Sequence, residues 1–443
     1  MIDSAPPLTC YRCGATAAFP DRKRCACGEP LWFDTEGAAA DFAWPDSGTG
    51  VWRYADLLPV GSRARSDSRA TESASASERE SADPRAPAGV GAAAGATPLV
   101  RVPTLDADAG CRLWVKDESE NPTGSFKDRG SAVGAAWAAS AGREWIGTVS
   151  HGNMAMSVAA NAAGVADGPN AVVLVPDDIS GERLAAIARY DPTVLRVAGD
   201  YGRLYRETLA SDAPVEFVNS DTPLRVAGQK TTALEVCEAF ASGAATEKEA
   251  ETTAEARDPS GRAPDAIVLP VSSGGHASAT WKALRELQAA NLLADDLPRL
   301  YFVQTAACDP IAAAFREGAD EVTPDGDPGD TAAYSIANAD PPSGTRTLAA
   351  ARATGGAVLS VPDDEILDAK ATLARQAGFC VEPASATTLA GIRRLSSSGD
   401  LSADDEVVAV LTGTGFRELD ADGPNPDTVS LGDLSGRLRD LTG

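Results

Sequence analysis

The chain has 443 residues, eight cysteines and a net charge of -25, with 64 acidic side chains against 39 basic ones. That length exceeds a single small core and points to two or three domains. The acidic surplus is spread along the chain, which argues against nucleic acid as a partner, because affinity for phosphates comes from basic groups that neutralise them. Seven of the 39 basic residues are Lys, at positions 23, 116, 127, 230, 248, 282 and 370, and the rest are Arg. Acidic excess with Arg favoured over Lys matches a protein adapted to high salt.

The opening stretch "MIDSAPPLTC" lacks the basic region and apolar core of a signal peptide. No run of about 18 apolar residues occurs. A soluble cytoplasmic protein with no membrane partner is expected, and its cysteines read as thiols or metal ligands instead of disulfides.

In chain order, Cys10, Cys13, Cys25 and Cys27 come first, in "CYRC" and "CACG". Two short ligand turns of this kind predict a tetrahedral thiolate site for structural Zn2+ in a small ribbon. Cys111, Cys237, Cys308 and Cys380 have no such spacing and read as small buried hydrophobes. From Gly61 to Thr97 the chain is rich in Ser, Ala, Arg and Glu, with almost no large apolar side chains to offset the cost of ordering, so a linker is expected. Because that linker follows the ribbon, loss of the metal is expected to leave the chemistry largely intact. A second polar segment, Ala244 to Pro264, reads as an inserted surface loop.

The remainder alternates β-branched runs with Ala-rich helical runs. "RLWVKDE", "WIGTVS", "NAVVLVP", "TVLRVAG", "DAIVLPV", "RLYFVQT", "GAVLSVP" and "EVVAVL" read as strands. Alternation with helices predicts α/β architecture, parallel sheets flanked by helices, with ligand sites in loops after the strands. Three such loops are rich in Gly, Ser and Thr. "VSHGNMAMS" carries Ser150 and Asn153, "PVSSGGHASA" carries Ser272 to Ala277, and "LTGTGF" carries Thr412 and Thr414. Each presents hydroxyls and amides before a helical run, a geometry suited to carboxylate or phosphate. The two histidines, His151 and His276, lie in these loops without the spacing of a catalytic triad or a helical metal pair.

The stretch "NPTGSFKDRG" places Lys127 directly after a Pro-Thr-Gly turn. It resembles the Schiff-base lysine motif of fold-type-II pyridoxal-phosphate enzymes, and within them that of the threonine synthases. The similarity continues through "SHGNMAMSVAANAAG", "VNSDTPLRVAGQKTTALEV", "CVEPASATTLAG" and "VLTGTGF", and covers roughly Thr97 to Glu418. The resemblance implies a two-lobed fold. Residues 1–34 would form the zinc-ribbon-like segment and 35–97 a connection. Residues 98–127 with 226–420 would form the large cofactor-binding domain, 128–225 the small substrate-binding domain, and 421–443 a tail.

It also implies pyridoxal 5'-phosphate on Lys127, with Lys127 as base and acid, and Phe126 against the lysine stem. Asp128 and Arg129 would tether the loop. Asn153 would bond the cofactor's 3-hydroxyl, and Ser272, Ser273, Gly274, Gly275, His276 and Ala277 would cradle its phosphate. Thr412 would face the ring nitrogen, leaving it unprotonated and favouring elimination and replacement. On the substrate side, Ser150 with Asn153 would serve the carboxylate, and Ser220 with Arg225 would hold the γ-phosphate of O-phosphohomoserine, on its way to threonine and phosphate. Glu382 reads as packing. A homodimer is the assembly implied. A related threonine or serine dehydratase, or a non-catalytic paralogue, would share the cofactor site without needing Arg225. Three places depart from the family's usual pattern: Met154 stands for the usual Thr, "SSGGH" for Gly-Asn-Ala-Gly-Asn, and "YSIANADPPSG" for Ile-Arg-Ile-Gly-Asn-Pro.

Overall fold

A computed structural model describes residues 5–60, 89–150, 152–199, 201–243, 262–293, 297–326, 329–417 and 428–442. Most of the expected linker (61–88), most of the second polar segment (244–261) and His151 lie outside the described residues. The expected tail is described from residue 428 and carries the helix Leu434–Thr442.

Strands β1 (Leu8–Thr9), β2 (Thr16–Ala17) and β3 (Trp32–Phe33) form a small antiparallel sheet in the order β2-β1-β3. Next come β4 (Leu99–Arg101) and β5 (Arg112–Asp117), which pair antiparallel. A four-stranded parallel sheet follows, built from β6 (Trp145–Val149), β7 (Asn170–Pro176), β8 (Thr193–Val197) and β9 (Val215–Phe217) in the order β8-β7-β6-β9. Strands β10 (Ala266–Pro270), β11 (Arg299–Thr305), β12 (Ala357–Val361) and β13 (Glu406–Leu411) then complete a six-stranded sheet, β12-β11-β10-β13-β5-β4. The expectation of parallel sheets holds for every neighbouring pair here except β4–β5, where a short edge strand turns back beside its successor.

Continuous apolar runs such as "AIVLP" in β10 suit a strand covered on both faces. Alternate side chains feed two separate cores. Trp114, Ile267, Phe302 and Val408 enter one, and their chain neighbours Val115, Val268, Val303 and Ala409 enter the other. Small residues bring the two sheets' helices together. A Cβ on Gly228 would lie 2.1 Å from the Arg129 carbonyl oxygen, so the helices Lys127–Ser140 and Pro223–Gln229 approach backbone to backbone. Loops after β6, β9, β10 and β13 line one crevice, at the carboxyl ends of both parallel sheets, where open α/β folds place ligands.

Candidate active site

The Lys127 turn is built from its own sequence neighbours. Gly124 has φ +73°, and a Cβ there would lie 2.7 Å from Arg417 Nη2 and Thr414 Cγ2, so no other residue fits without strain. The Phe126 amide donates to the Thr412 carbonyl at 3.1 Å, and the Thr414 amide to the Gly124 carbonyl at 2.9 Å. Asp128, fully buried, accepts from the Thr123 amide and hydroxyl at 2.6 and 2.7 Å and from Ser157 Oγ at 2.6 Å. Arg129, also fully buried, pairs with Glu118 and Glu235 at 2.7 Å each. The tethering expected of these two residues is therefore met by hydrogen bonds to Asp128 and ion pairs to Arg129, with Lys127 left at the helix start facing the cavity.

That cavity has a volume of about 960 Å³ and gathers Lys127, Ser150, Asn153, Ser220, Ser272 to Ala277, and Thr412. Lys127 Nζ sits over the Phe126 ring, 4.2 Å from its centroid, and that ring stacks on His276 at 4.2 Å and 11°. Burial and the neighbouring Arg225 charge pull the Lys127 amine down to about 7, while Glu382 acts in the opposite sense. The amine is thus largely neutral just above neutral pH, the form that condenses with an aldehyde. His276 is held well below its usual value by burial and by Lys127, and is neutral; its Nε2 lies 3.2 Å from Thr232 Oγ1, while its Nδ1 has no partner among the described residues.

The loop after β10 fits a phosphate. Gly274 takes φ +83°, where a Cβ would lie 2.5 Å from Thr347 Oγ1, and a Cβ on Gly275 would lie 2.0 Å from the Ser220 carbonyl oxygen. The 15-residue helix Gly275–Ala289 starts there, directing its free amides toward the cavity end. With a neutral lysine amine opposite, the residues present fit pyridoxal phosphate.

Arg225 does not line the cavity. It lies fully buried behind the Lys127 turn, its Nη1 donating to the Lys127 carbonyl at 2.9 Å and to Ser131 Oγ at 2.7 Å. Its Nε and Nη2 have no hydrogen-bond partner among the described residues. Burial lowers its pKa toward about 9, which still leaves it charged at neutral pH.

Several cavity residues escaped the sequence reading. Glu382, read there as packing, lines the cavity and accepts from Asn153 Nδ2 at 2.9 Å. Arg417 donates to Asn153 Oδ1 at 2.8 Å, so both ends of that amide are engaged. The acid before the helix-starting "PASA" signal and the Arg after "TGTGF" were both visible, but nothing local showed that they meet at Asn153. More unexpectedly, Arg24, Gly28 and Glu29 of the cysteine segment form part of the wall. The segment thus docks against the cavity, although the linker after it had suggested that it stands apart. Length of linker says nothing about where a segment docks, and Lys23, Arg24 and Pro30 are bonded to Phe217, Asp221 and Arg346.

The four cysteine sulfurs, from Cys10, Cys13, Cys25 and Cys27, lie within 4.8 Å of one another. Three of the separations are 3.7, 3.5 and 3.8 Å. Thiolates about 2.3 Å from a tetrahedral zinc would be spaced about 3.8 Å apart, so the cluster matches a metal site without rearrangement. All eight cysteines are free; Cys111, Cys237 and Cys308 are buried as expected, whereas Cys380 is half-buried.

The model of the family "Pyridoxal-phosphate dependent enzyme" matches residues 90–413. The chain is 32% identical over 376 residues to a threonine synthase of Methanocaldococcus jannaschii, spanning 84% of this chain and 82% of that one. It is 34% identical over 367 residues to one of Methanosarcina acetivorans, spanning 82% and 79%. The chain belongs to the threonine synthases of the pyridoxal-phosphate dependent enzyme family. Among solved structures, a serine racemase of Dictyostelium discoideum aligns with TM-score 0.55 and 22% identity, over 73% of this chain and 93% of that one. An L-serine ammonia-lyase of Rhizomucor miehei aligns with TM-score 0.56 and 20% identity, over 78% and 98%. These two share the family's fold.

Proposed function

We propose that the chain converts O-phosphohomoserine and water to threonine and phosphate at the Lys127 cavity. The observation that carries this reading is a lysine amine lowered to about 7, in one cavity with the Gly274–Gly275 loop at a helix start. Lys127 would hold pyridoxal phosphate, with Ser272 to Ala277 on its phosphate, Asn153 on its 3-hydroxyl and Thr412 on its ring nitrogen. Bound there, the cofactor supplies an electron sink for carbanion character on the substrate.

Lys127 Nζ, poised near neutral pH, takes the proton from Cα and then from Cβ, and returns a proton to Cγ after phosphate has left. Water then adds its hydroxyl at Cβ, Lys127 returns a proton to Cα, and the remaining proton leaves with the phosphate. Ser150 receives the substrate carboxylate, and Glu382 holds the Asn153 amide in orientation. Ser220 faces the leaving phosphate from the cavity wall, whereas Arg225, expected to hold that phosphate, is withdrawn behind the Lys127 turn and acts through its charge and its bond to the Lys127 carbonyl.

The same reading gives the four-cysteine cluster a structural zinc and the protein a cytoplasmic, homodimeric, high-salt setting; the sulfur spacing supports the first and the acidic surface the last. The test is product analysis. O-phosphohomoserine should yield phosphate and threonine in equal amounts, with little 2-oxo acid from threonine or serine alone. Arg225→Ala should lower kcat/KM by about 10²- to 10³-fold with cofactor absorbance kept. Efficient deamination of threonine, with O-phosphohomoserine ignored, would assign the site to a dehydratase.

A further inference from the structure

We propose that Arg24 is a positioning residue that couples the four-cysteine knuckle to the substrate end of the cavity through Asp221. The inference rests on reading this cavity as the substrate site, and it gives the cysteine segment a part in the reaction.

The main chain of Arg24 belongs to the knuckle. The Cys25 amide donates to the Glu29 carbonyl at 2.8 Å and the Gly28 amide to the Cys25 carbonyl at 3.0 Å. Arg24 and Pro30 close this loop as an antiparallel bridge. The guanidinium then reaches out of the knuckle in two directions. Its Nη1 returns to the Gly28 carbonyl at 2.9 Å, while its Nη2 donates to Asp221 Oδ2 at 3.0 Å and to the Pro342 carbonyl at 3.1 Å. One side chain thus joins the metal-type loop, the turn after β9 and the stretch preceding the helix Gly344–Ala353.

Asp221 is the receiving end. Its carboxylate is 2% exposed and accepts from Arg24, from the Tyr205 hydroxyl and from Ser343 Oγ at 3.3 Å. Arg24 is the cation bonded directly to it; the buried Arg346 donates to Ser343 Oγ and to the Pro30 carbonyl, one step away. Removing Arg24 would leave a buried carboxylate held by hydroxyls alone, which favours rearrangement of the turn. That turn carries Ser220, which lines the cavity, and whose carbonyl lies where a Cβ on Gly275 would be, 2.0 Å away. Displacement of Asp221 therefore reaches the substrate wall first and the Gly275 loop next.

A metal in the cluster would fix the knuckle, and with it the base from which Arg24 reaches. The prediction is a linear dependence: metal, knuckle, Arg24, Asp221, Ser220. Arg24→Ala should retain bound zinc and the visible absorbance of the cofactor. It should raise KM for O-phosphohomoserine about tenfold while kcat stays within about twofold, the signature of lost ground-state and transition-state binding together. Amide hydrogen exchange in the peptide 218–224 should accelerate. Chelation of zinc from the wild type should reproduce both changes, and chelation of Arg24→Ala should add no more, because the two perturbations act along one path.

Wild-type KM and wild-type exchange in Arg24→Ala would overturn the proposal. So would equal acceleration on chelation in both proteins, since the metal would then act by another route. If Arg24→Ala does not fold, exchange in the chelated wild type decides: no change in 218–224 refutes the coupling. Absence of O-phosphohomoserine turnover by the wild type would refute the functional reading alone, and the exchange data would still decide this one.

Discussion

The cavity has two walls held by different kinds of contact. The Lys127 wall starts from local contacts, with Thr123 and Asp128 closing the turn five residues apart and Arg129 meeting Glu118 across eleven, and is then tied to Glu235 and Thr412. The knuckle wall is assembled from afar, with Arg24 bonded to Asp221 and Pro30 to Arg346, 197 and 316 residues apart in the chain. The first wall holds the groups that do chemistry: its Arg129 is buried and paired, its Asp128 is buried and held by an amide and hydroxyls, and Arg225 lies behind with two nitrogens unpartnered among the described residues. The second shapes the space in front of them through half-exposed Arg24. The chemical groups thus sit on a turn that its own neighbours close before distant segments brace it, whereas the knuckle wall depends on tertiary docking throughout.

Breaking the first wall should have the larger consequences. Lys127→Ala should abolish turnover outright, measured as phosphate release, because no other lysine among the cavity residues can replace it. Arg129→Ala should come next. It strands Glu118, fully buried, and leaves Glu235 with Lys116 as its remaining cation, and removal of one partner from a buried pair costs about 3–5 kcal/mol, read as a lower denaturant midpoint.

The pH dependence of cofactor loading sharpens the same contrast. Lys127 is lowered from 10.5 to about 7, so it is protonated below that value and neutral above it. Loading of the cofactor-free protein should therefore slow as pH falls, by about tenfold between pH 8 and pH 6. Burial is the main cause, with Arg225 lowering and Glu382 raising the value, so Glu382→Gln should move the midpoint down and Arg225→Ala should move it up. Salt should give the smallest effect. With a charge of -25, repulsion between surface carboxylates is screened within about 3 Å at 1 M salt but extends to about 10 Å at 0.1 M, so Tm should rise modestly toward molar KCl. An unchanged Tm would remove the high-salt reading.

How much could be read beforehand follows the same division. Strands β5, β6, β7, β8, β10, β11, β12 and β13 were visible as apolar or β-branched runs between helical ones. Strands β4 and β9 were not, because three residues are too few to show a period. The reversed direction of β4 was equally hidden, since edge pairing is decided by the turn between β4 and β5. Asn153, the Ser272 to Ala277 loop and Thr412 were visible as Gly-, Ser- and Thr-rich turns, Lys127 through the motif that resembles the family's, and the fold gathers them in one cavity. Arg225 was visible as a forked cation near Ser220, but its withdrawal behind Lys127 depends on the close packing of Gly130, Gly134 and Gly228 against neighbouring elements. Glu382, Arg417 and Arg24 act through partners more than 190 residues away, and no local pattern encodes such a meeting.

The most direct test of the account is the point of cofactor attachment. Borohydride reduction of the cofactor-loaded protein, followed by proteolysis and peptide mass mapping, should place a single pyridoxyl adduct on Lys127. An adduct on Lys116, Lys230 or any other lysine, or none at all, would contradict the assignment of this cavity as the active site.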